Sequence, residues 1–390
     1  MSTNRIFCKF GLIGENLDLK KNISLKIHED GVISELSYED LENNKNFQGN
    51  GDNHLLIPGL INSHIHIGDS FAKERGFNKN LIDVVAPPNG LKHQLLKKTE
   101  KEIIFKGIIN SAREMISNGI TCFVDFREGG LEGVQIINEA MEGEPIRSVK
   151  MGRFREEGEI KSIFKNADGL GLSSYRNLSP DEKECIRTLK SSKNKLVACH
   201  DAEVKKDINL FKEIISDNLV DIIVHGTQYT KKELNLLKEN NISLVLCPRS
   251  NGYFGVGFPP ILDVVEFDIL TALGTDNIMS INPDLFEEMR YLYLIARVLS
   301  KKSNKSPISA KDLLKMTTIN AAKILKLQSS IGSISLNKYA DFFIINLDDL
   351  NYYNNQITTD IIFPLIVQRT KPENIKKVFI GGKNVFERKK

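Results

Sequence analysis

Eight short, apolar, β-rich runs recur between residues 58 and 333, most of them separated by helical stretches, and this alternation restricts the fold more tightly than any other feature. The runs are LINSHIHI, ITCFVDF, IRSVKMGRF, DGLGLS, KLVACH, DIIVHG, ISLVLCP and ILTALGTD. Strands alternating with helices at this length have the size and order of a (β/α)8 barrel, the TIM-like α/β fold. A doubly wound sheet also alternates, but no Gly-x-Gly-x-x-Gly follows the first strand of this chain. The fourth run is short and glycine-rich, and no clear helix precedes it, which leaves the third unit poorly defined.

Local signals support the helices. The segment 99–119 has a 3.6-residue apolar period and stops at a glycine. Ser179-Pro180-Asp181-Glu182 combines a capping box with proline at the first helical position. Asn282-Pro283 opens a helix over DLFEEMRYLYLIARVL in the same style.

Both ends of the chain read as strands. ISLKI alternates apolar and polar residues before Asp30-Gly31 turns into VISEL, and VFIGGKNVFE turns at Gly381-Gly382. Neither end shows a helical period. The expected organisation is therefore a small β-sandwich built from residues 1–57 and 334–390, beside a (β/α)8 barrel over 58–333.

Composition narrows the partners. The chain has 390 residues, 41% hydrophobic and 26% charged, as an ordinary globular protein does. A formal charge of +3, from 53 basic and 50 acidic residues, gives no reason to expect a nucleic-acid partner. No apolar run approaches the ~20 residues of a membrane span, and the first ten residues lack a signal-peptide core, so a cytoplasmic location is expected. The five cysteines form no Cys-x-x-Cys pair and read as reduced thiols, mostly packing residues. The expected partner is a small-molecule substrate; a homodimer is compatible with the sequence.

The chain has only seven histidines, and two of them stand as His64-Ile65-His66 in the first strand. Residues two apart on a strand share a face, so both imidazoles project together while Ile65 points to the other side. KLVACH ends in His200, DIIVH in His225, and ILTALGTD in Asp276. In a barrel of this type the active site lies at the C-terminal ends of the strands. Singly, each residue has an ordinary explanation: a satisfied core histidine, or a turn or cap aspartate. Packing gives no reason for all of them to fall at four different strand ends. Imidazoles with a carboxylate suit a borderline divalent ion such as zinc or iron(II).

With these residues in place the chain resembles the amidohydrolase superfamily, in the branch of cytosine deaminase, guanine deaminase and the methylthioadenosine/S-adenosylhomocysteine deaminases. The ordered set PGLINSHIH, CHDAE, VHG, LCPRSN, LGTDN with DLFEEMR, and NAAKILKL through GSISLNKYADFFIINL carries the likeness over nearly the whole length. The resemblance implies metal ligands His64, His66, His200 and Asp276. It implies that Glu203 is the proton-shuttling glutamate and that His225 faces the metal-bound water and the tetrahedral intermediate. Binuclear relatives carry a carboxylated lysine at the fourth strand; DGLGLSS has none, so one ion is expected. Where relatives often have a small residue, HDAE has Asp201, on the opposite strand face.

The implied activity is hydrolytic deamination of an aminated heterocycle, a nucleobase, nucleoside or pterin-like ring, with release of ammonia. A divalent ion lowers the pKa of its bound water towards neutrality, Asp276 can accept a proton, and Glu203 can deliver one to a ring nitrogen. A cyclic amidase or another hydrolase on the same metal is the alternative, and a catalytically idle scaffold is a third reading that the intact residue set opposes.

Arg127, Arg153 and Arg249 follow the second, third and seventh strands and would suit an anionic substrate group; structural ion pairs with Asp125, Glu128 and other nearby acids are the plainer account. Asn251 is a further candidate contact. His93, in the long segment after the first strand, could lie over the pocket, whereas His28 and His54 belong to the N-terminal strands and their approach to the barrel.

Overall fold

The computed structural model describes residues 4–41, 53–176, 178–193, 195–353 and 357–389. The chain opens with β1 (Asn4–Ile13), β2 (Asp18–Ile27), β3 (Ile33–Glu39) and β4 (His54–Pro58). Beyond Gly59 it enters a second sheet made of β5 (Leu60–His66), β6 (Ile120–Arg127), β7 (Arg147–Gly152), β8 (Gly169–Leu172), β9 (Leu196–Asp201), β10 (Ile222–His225), β11 (Ser243–Leu246), β12 (Thr271–Leu273) and β13 (Asp276–Asn277). It returns to the first sheet with β14 (Phe342–Asn346), β15 (Ile375–Ile380) and β16 (Lys383–Glu387).

The terminal strands form one mixed seven-stranded sheet in the order β16-β15-β14-β4-β1-β2-β3. Hairpins join β2 to β3 past Asp30-Gly31 and β15 to β16 at Gly381-Gly382. Arg147, on β7 of the other sheet, fastens the two together. Its Nε lies 2.6 Å from Asp341 Oδ2, and its guanidinium stacks on Tyr339.

The second sheet is parallel throughout, in the order β12-β11-β10-β9-β8-β7-β6-β5-β13. Its two end strands are separated in sequence only by Gly274 and Thr275, so the sheet curls until its ends meet. Thr275 seals the junction: its amide donates to Asn62 Oδ1 at 3.1 Å, and its hydroxyl accepts from Asn62 Nδ2 at 2.8 Å. Gly274 is required by close approach, since a Cβ there would lie 2.6 Å from the His64 Cβ.

Two apolar layers follow the strand period. Cys122, Val124, Phe126, Ala198, Val224, Val245 and Ala272 pack together on the inner side of the sheet. The intervening Phe123, Val197, Ile223 and Leu244 pack outward against helical residues such as Ile104, Ile108 and Leu285. Ile65 joins this outer layer, which puts His64 and His66 on the inner side. The cysteines are free, and all but Cys185 are buried.

Two expectations change. A helix, Ile160–Asn166, does precede the glycine-rich β8. The C-terminal region, expected to be β alone, contains the helix Thr359–Arg369 with Pro364 inside it. Its sequence is apolar nearly all round and carries an internal proline, which hides the period. Tertiary packing stabilises it: Ile362, Phe363, Ile366 and Val367 are buried, and Arg290 caps its C-terminal end through the Thr370 carbonyl at 2.7 Å.

Candidate active site

The strand ends bring His64, His66, His200 and Asp276 into one buried cup. Candidate ligand atoms of His64, His66 and His200 all lie within 4.8 Å of one another, as do those of His64, His225 and Asp276. The spacing is informative. His64 Nε2 stands 3.3 Å from His200 Nε2 and 3.3 Å from Asp276 Oδ1, and His66 Nε2 stands 3.5 Å from the same oxygen. Ligands bonded at about 2.0–2.1 Å to a tetrahedral ion stand about 3.3 Å apart. The four residues therefore fit one divalent ion.

Hydrogen bonds at the far nitrogens aim the rings. His66 Nδ1 meets the Phe126 carbonyl at 3.0 Å and Glu128 Oε1 at 2.7 Å, and His200 Nδ1 meets the Leu172 carbonyl at 2.9 Å. Each such bond places the proton on Nδ1 and leaves Nε2 as a lone pair. Burial drives the His64 imidazole down to about 3 and His200 well below its usual value, so both remain neutral. Burial would raise Asp276, but its hydrogen bond to His64 and the surrounding imidazoles hold it well below the usual carboxylate range. Ser250 Oγ donates to its other oxygen at 2.6 Å.

The backbone is strained at Asp276 and at two residues beside the cup. His225, Ala202 and Asp276 have φ of 75°, 50° and 65°, the left-handed region that side-chain-bearing residues rarely adopt. Such conformations cost on the order of 1–3 kcal/mol each and cluster at functional sites.

Glu203 and His225 stand beside the cup. Glu203 Oε1 is buried, makes no hydrogen bond and lies 3.7 Å from His225 Nε2. Burial raises the carboxyl pKa. Asn251 reaches His225 rather than the cavity, with its Nδ2 3.2 Å from Nδ1. Thr227 donates to the Asn251 carbonyl oxygen at 3.3 Å, which turns the Asn251 amide N–H towards the ring. His225 Nδ1 is thus an acceptor, and Nε2 carries the proton.

A cavity of about 200 Å³ opens onto the cup, lined by His66, Lys92, Arg153, Ser173, Glu203 and Asn277 among others. Of the three strand-end arginines only Arg153 reaches it. Arg127 is buried against Gly68, where a Cβ would collide with the guanidinium, and lies 4.0 Å from Asp125. Arg249 pairs with Glu287 at 2.6 Å. His93 does not line the cavity; its Nε2 lies 3.0 Å from the Val85 carbonyl, and burial and Lys92 lower its pKa to about 4. Asp201 accepts from the Tyr229 hydroxyl, away from the cup.

Sequence reasoning missed Lys92. Its side chain is 3% exposed, and its Nζ pairs with Glu128 Oε1 at 2.7 Å and donates to Asn277 Oδ1 at 2.9 Å. In NGLKHQLL it reads as an ordinary solvated lysine, and only the neighbouring His93 drew notice to the segment. The sequence suggests Glu128 as an arginine partner; its direct contacts are with Lys92 and His66, while the Arg153 charge acts on it beyond ion-pair distance.

Comparison with known proteins agrees with this geometry. The model of the amidohydrolase family matches residues 55–385. A putative aminohydrolase of Methanothermobacter thermautotrophicus is 31% identical, over 94% of each chain. The 5'-deoxyadenosine deaminase of Methanobrevibacter smithii is 26% identical, over 100% of this chain and 94% of its own. A zinc-bound adenosine deaminase from Xanthomonas campestris shares the fold at a TM-score of 0.79 and 19% identity, covering 97% of this chain and 92% of that one. A match over this span to a family model, joined to a relative above 30% identity at nearly full length, places the chain in the amidohydrolase family.

Proposed function

We propose that this enzyme is a hydrolytic deaminase of an aminated heterocycle, working with one divalent ion, zinc, held by His64, His66, His200 and Asp276. The same reading takes β12 and β13 as two halves of one interrupted eighth strand. It assigns residues 58–333 to the barrel, with 1–57 and 334–390 forming the accessory β domain. The observation that carries the function is Glu203: a half-buried side chain whose Oε1 is buried without a hydrogen-bond partner, on the wall of the cavity beside the cup. Hydrolysis that needs no ring protonation has no use for a carboxyl kept ready to hold a proton there. Relatives named as deaminases of adenosine derivatives support the same chemistry.

Each side chain has a defined task. When bound, the ion supplies an acidified water and positive charge. Asp276, whose Oδ2 accepts from Ser250, turns Oδ1 into the cup, where it would both hold the ion and take a proton from the attacking water on its second lone pair. Glu203 delivers a proton to the ring nitrogen as a C–O bond forms at the adjacent carbon, so charge does not build up on the ring. His225, with its proton on Nε2, donates to the oxygen on that carbon. The proton taken up by Asp276 passes to the exocyclic nitrogen as the C–N bond breaks, the remaining hydroxyl proton returns to Glu203 as the C=O bond forms, and ammonia leaves. A screen of aminated purines, pyrimidines and pterins for ammonia release by the zinc-loaded protein tests the proposal. Opening of cyclic amides without ammonia release from any aminated ring would overturn it.

A further inference from the structure

One buried ammonium joins the segment that covers the cavity to the residues around the proposed metal ligands. Residues 74–98 come after β5 and contribute Leu81, Ile82, Val85, Ala86, Pro87 and Lys92 to the cavity wall. They pack on a satellite cluster, in which Leu81 and Val84 meet Phe254 and Met279. Among the described residues, two polar ties hold this segment to the rest of the chain. The Glu74 amide donates to the Met279 carbonyl at 2.7 Å, and the Lys92 side chain supplies the other. Both partners of Lys92 adjoin His66. Glu128 Oε1 lies 2.7 Å from Lys92 Nζ and 2.7 Å from His66 Nδ1. Asn277, whose Oδ1 accepts from the same ammonium at 2.9 Å, faces His66 across the β5–β13 pairing and follows Asp276 in the chain. A buried ion pair of this kind fixes position rather than adding stability, since well-packed apolar side chains would do the latter as well.

Resting on the reading of His64, His66, His200 and Asp276 as zinc ligands, we propose that Lys92 is a positioning residue that couples zinc binding to the seating of residues 74–98 over the cavity. It holds Glu128 against the His66 ring and, through the same ammonium, pins the covering segment. A His66 ring turned away from the other ligands would take Nδ1 off Glu128 and free the carboxylate from Lys92. A ring held with Nε2 among the ligands keeps Glu128 where Lys92 reaches it. The carboxylate orients the ring, as outer partners of ligating imidazoles do, and the lysine orients the carboxylate. Because both events share one contact, they are linked in both directions: zinc favours the seated segment, and the seated segment favours zinc. Zinc capture thereby completes the wall against which the substrate lies.

Two measurements test this without any substrate: zinc affinity, by competition against a fluorescent chelator, and hydrogen exchange over residues 74–98 with and without zinc. In the wild type, zinc should slow exchange in that segment by about fivefold or more and leave the terminal sheet unchanged. Lys92→Met should weaken zinc binding by about 10–100-fold and abolish the zinc-dependent slowing even at saturating zinc. Lys92→Met/Glu128→Gln should bind zinc no more weakly than Glu128→Gln alone, because the lysine acts through the carboxylate. That double variant buries no unpaired carboxylate, so it takes the place of Lys92→Met if the single variant does not fold. Unchanged zinc affinity in Lys92→Met overturns the role of Lys92, as does zinc-dependent slowing that persists in it or in the double variant. A double variant that binds zinc more weakly than Glu128→Gln overturns the route through Glu128. His200→Ala tests the ligand set beneath the proposal. Zinc binding at wild-type strength in that variant overturns the ligand set, whereas loss of zinc there with an unaltered Lys92→Met overturns Lys92 alone.

Discussion

Ser250 donates its hydroxyl to Asp276 Oδ2 at 2.6 Å, on the far side of the carboxylate from the imidazole cup. That bond turns Oδ1 towards His64 and His66, which lie 3.3 and 3.5 Å from it. Removing such an outer partner typically costs 10–100-fold in metal affinity or activity. Ser250→Ala should therefore weaken zinc binding by about that factor, while leaving the melting temperature of the metal-free protein nearly unchanged. Competition against a fluorescent chelator measures the first quantity and a thermal melt the second. Unaltered zinc affinity would show that Asp276 orients itself without Ser250.

Glu203 and His200 separate chemistry from metal binding. Glu203 lies beside the cup without completing it, so Glu203→Gln should keep the ion and the fold while losing turnover by on the order of 10²-fold or more. His200, whose Nε2 lies among the other proposed ligand atoms, should behave differently: His200→Ala should lose the ion itself. Metal content and ammonia release, measured on both variants, distinguish the two roles. Near-normal turnover in Glu203→Gln would remove the proton shuttle from the mechanism.

The cup was legible in the sequence because it depends on short-range rules. The strand period sets His64 and His66 on one face, and the barrel convention gathers His200, His225 and Asp276 at strand ends. What escaped notice depends on pairs far apart in the chain. Lys92 and Asn277 are separated by 185 residues, and nothing local to either reports the contact. Asn251 read as a substrate contact because its partner, the far nitrogen of His225, is fixed only by the packing of two adjacent strands. The three arginines looked equivalent at their strand ends. Their differences come from Gly68, Glu287 and an open cavity wall, which sequence position does not encode. The helix Thr359–Arg369 was hidden by Pro364 and by an apolar surface that its neighbours, not its own period, explain.

The metal count follows from the fourth strand. β8 ends at Leu172, followed by two serines, and offers no lysine to bridge a second ion. Lys92, the one lysine among the cavity-lining residues, is held by Glu128 and Asn277. Elemental analysis should return one equivalent of divalent metal per chain, and its removal by a chelator should abolish ammonia release until zinc is restored. Two equivalents, both located at the strand ends, would contradict this and would require a bridging group that the four ligands do not supply.

Glu288 makes stability depend on pH. Its side chain is fully buried on the helix Leu285–Ser303, Oε1 has no hydrogen-bond partner, and the Arg249 guanidinium lies 3.6 Å away. Burial raises the carboxyl from 4.5 to about 8, and Arg249 offsets only part of that. The folded protein thus holds a proton here that the unfolded chain releases near 4.5. The stability this group contributes is complete below that value and is lost as pH rises towards about 8, by up to about 1.4 kcal/mol per pH unit. Glu288→Gln keeps the shape and can still accept from the Arg249 amide, which meets Oε2 at 3.1 Å, but it cannot ionise. From pH 5.5 to 7.5 the wild-type melting temperature should therefore fall relative to that of Glu288→Gln, with zinc held saturating in both. Parallel pH profiles for the two proteins would mean that Glu288 is already ionised in the fold, with Arg249 as its full counter-charge.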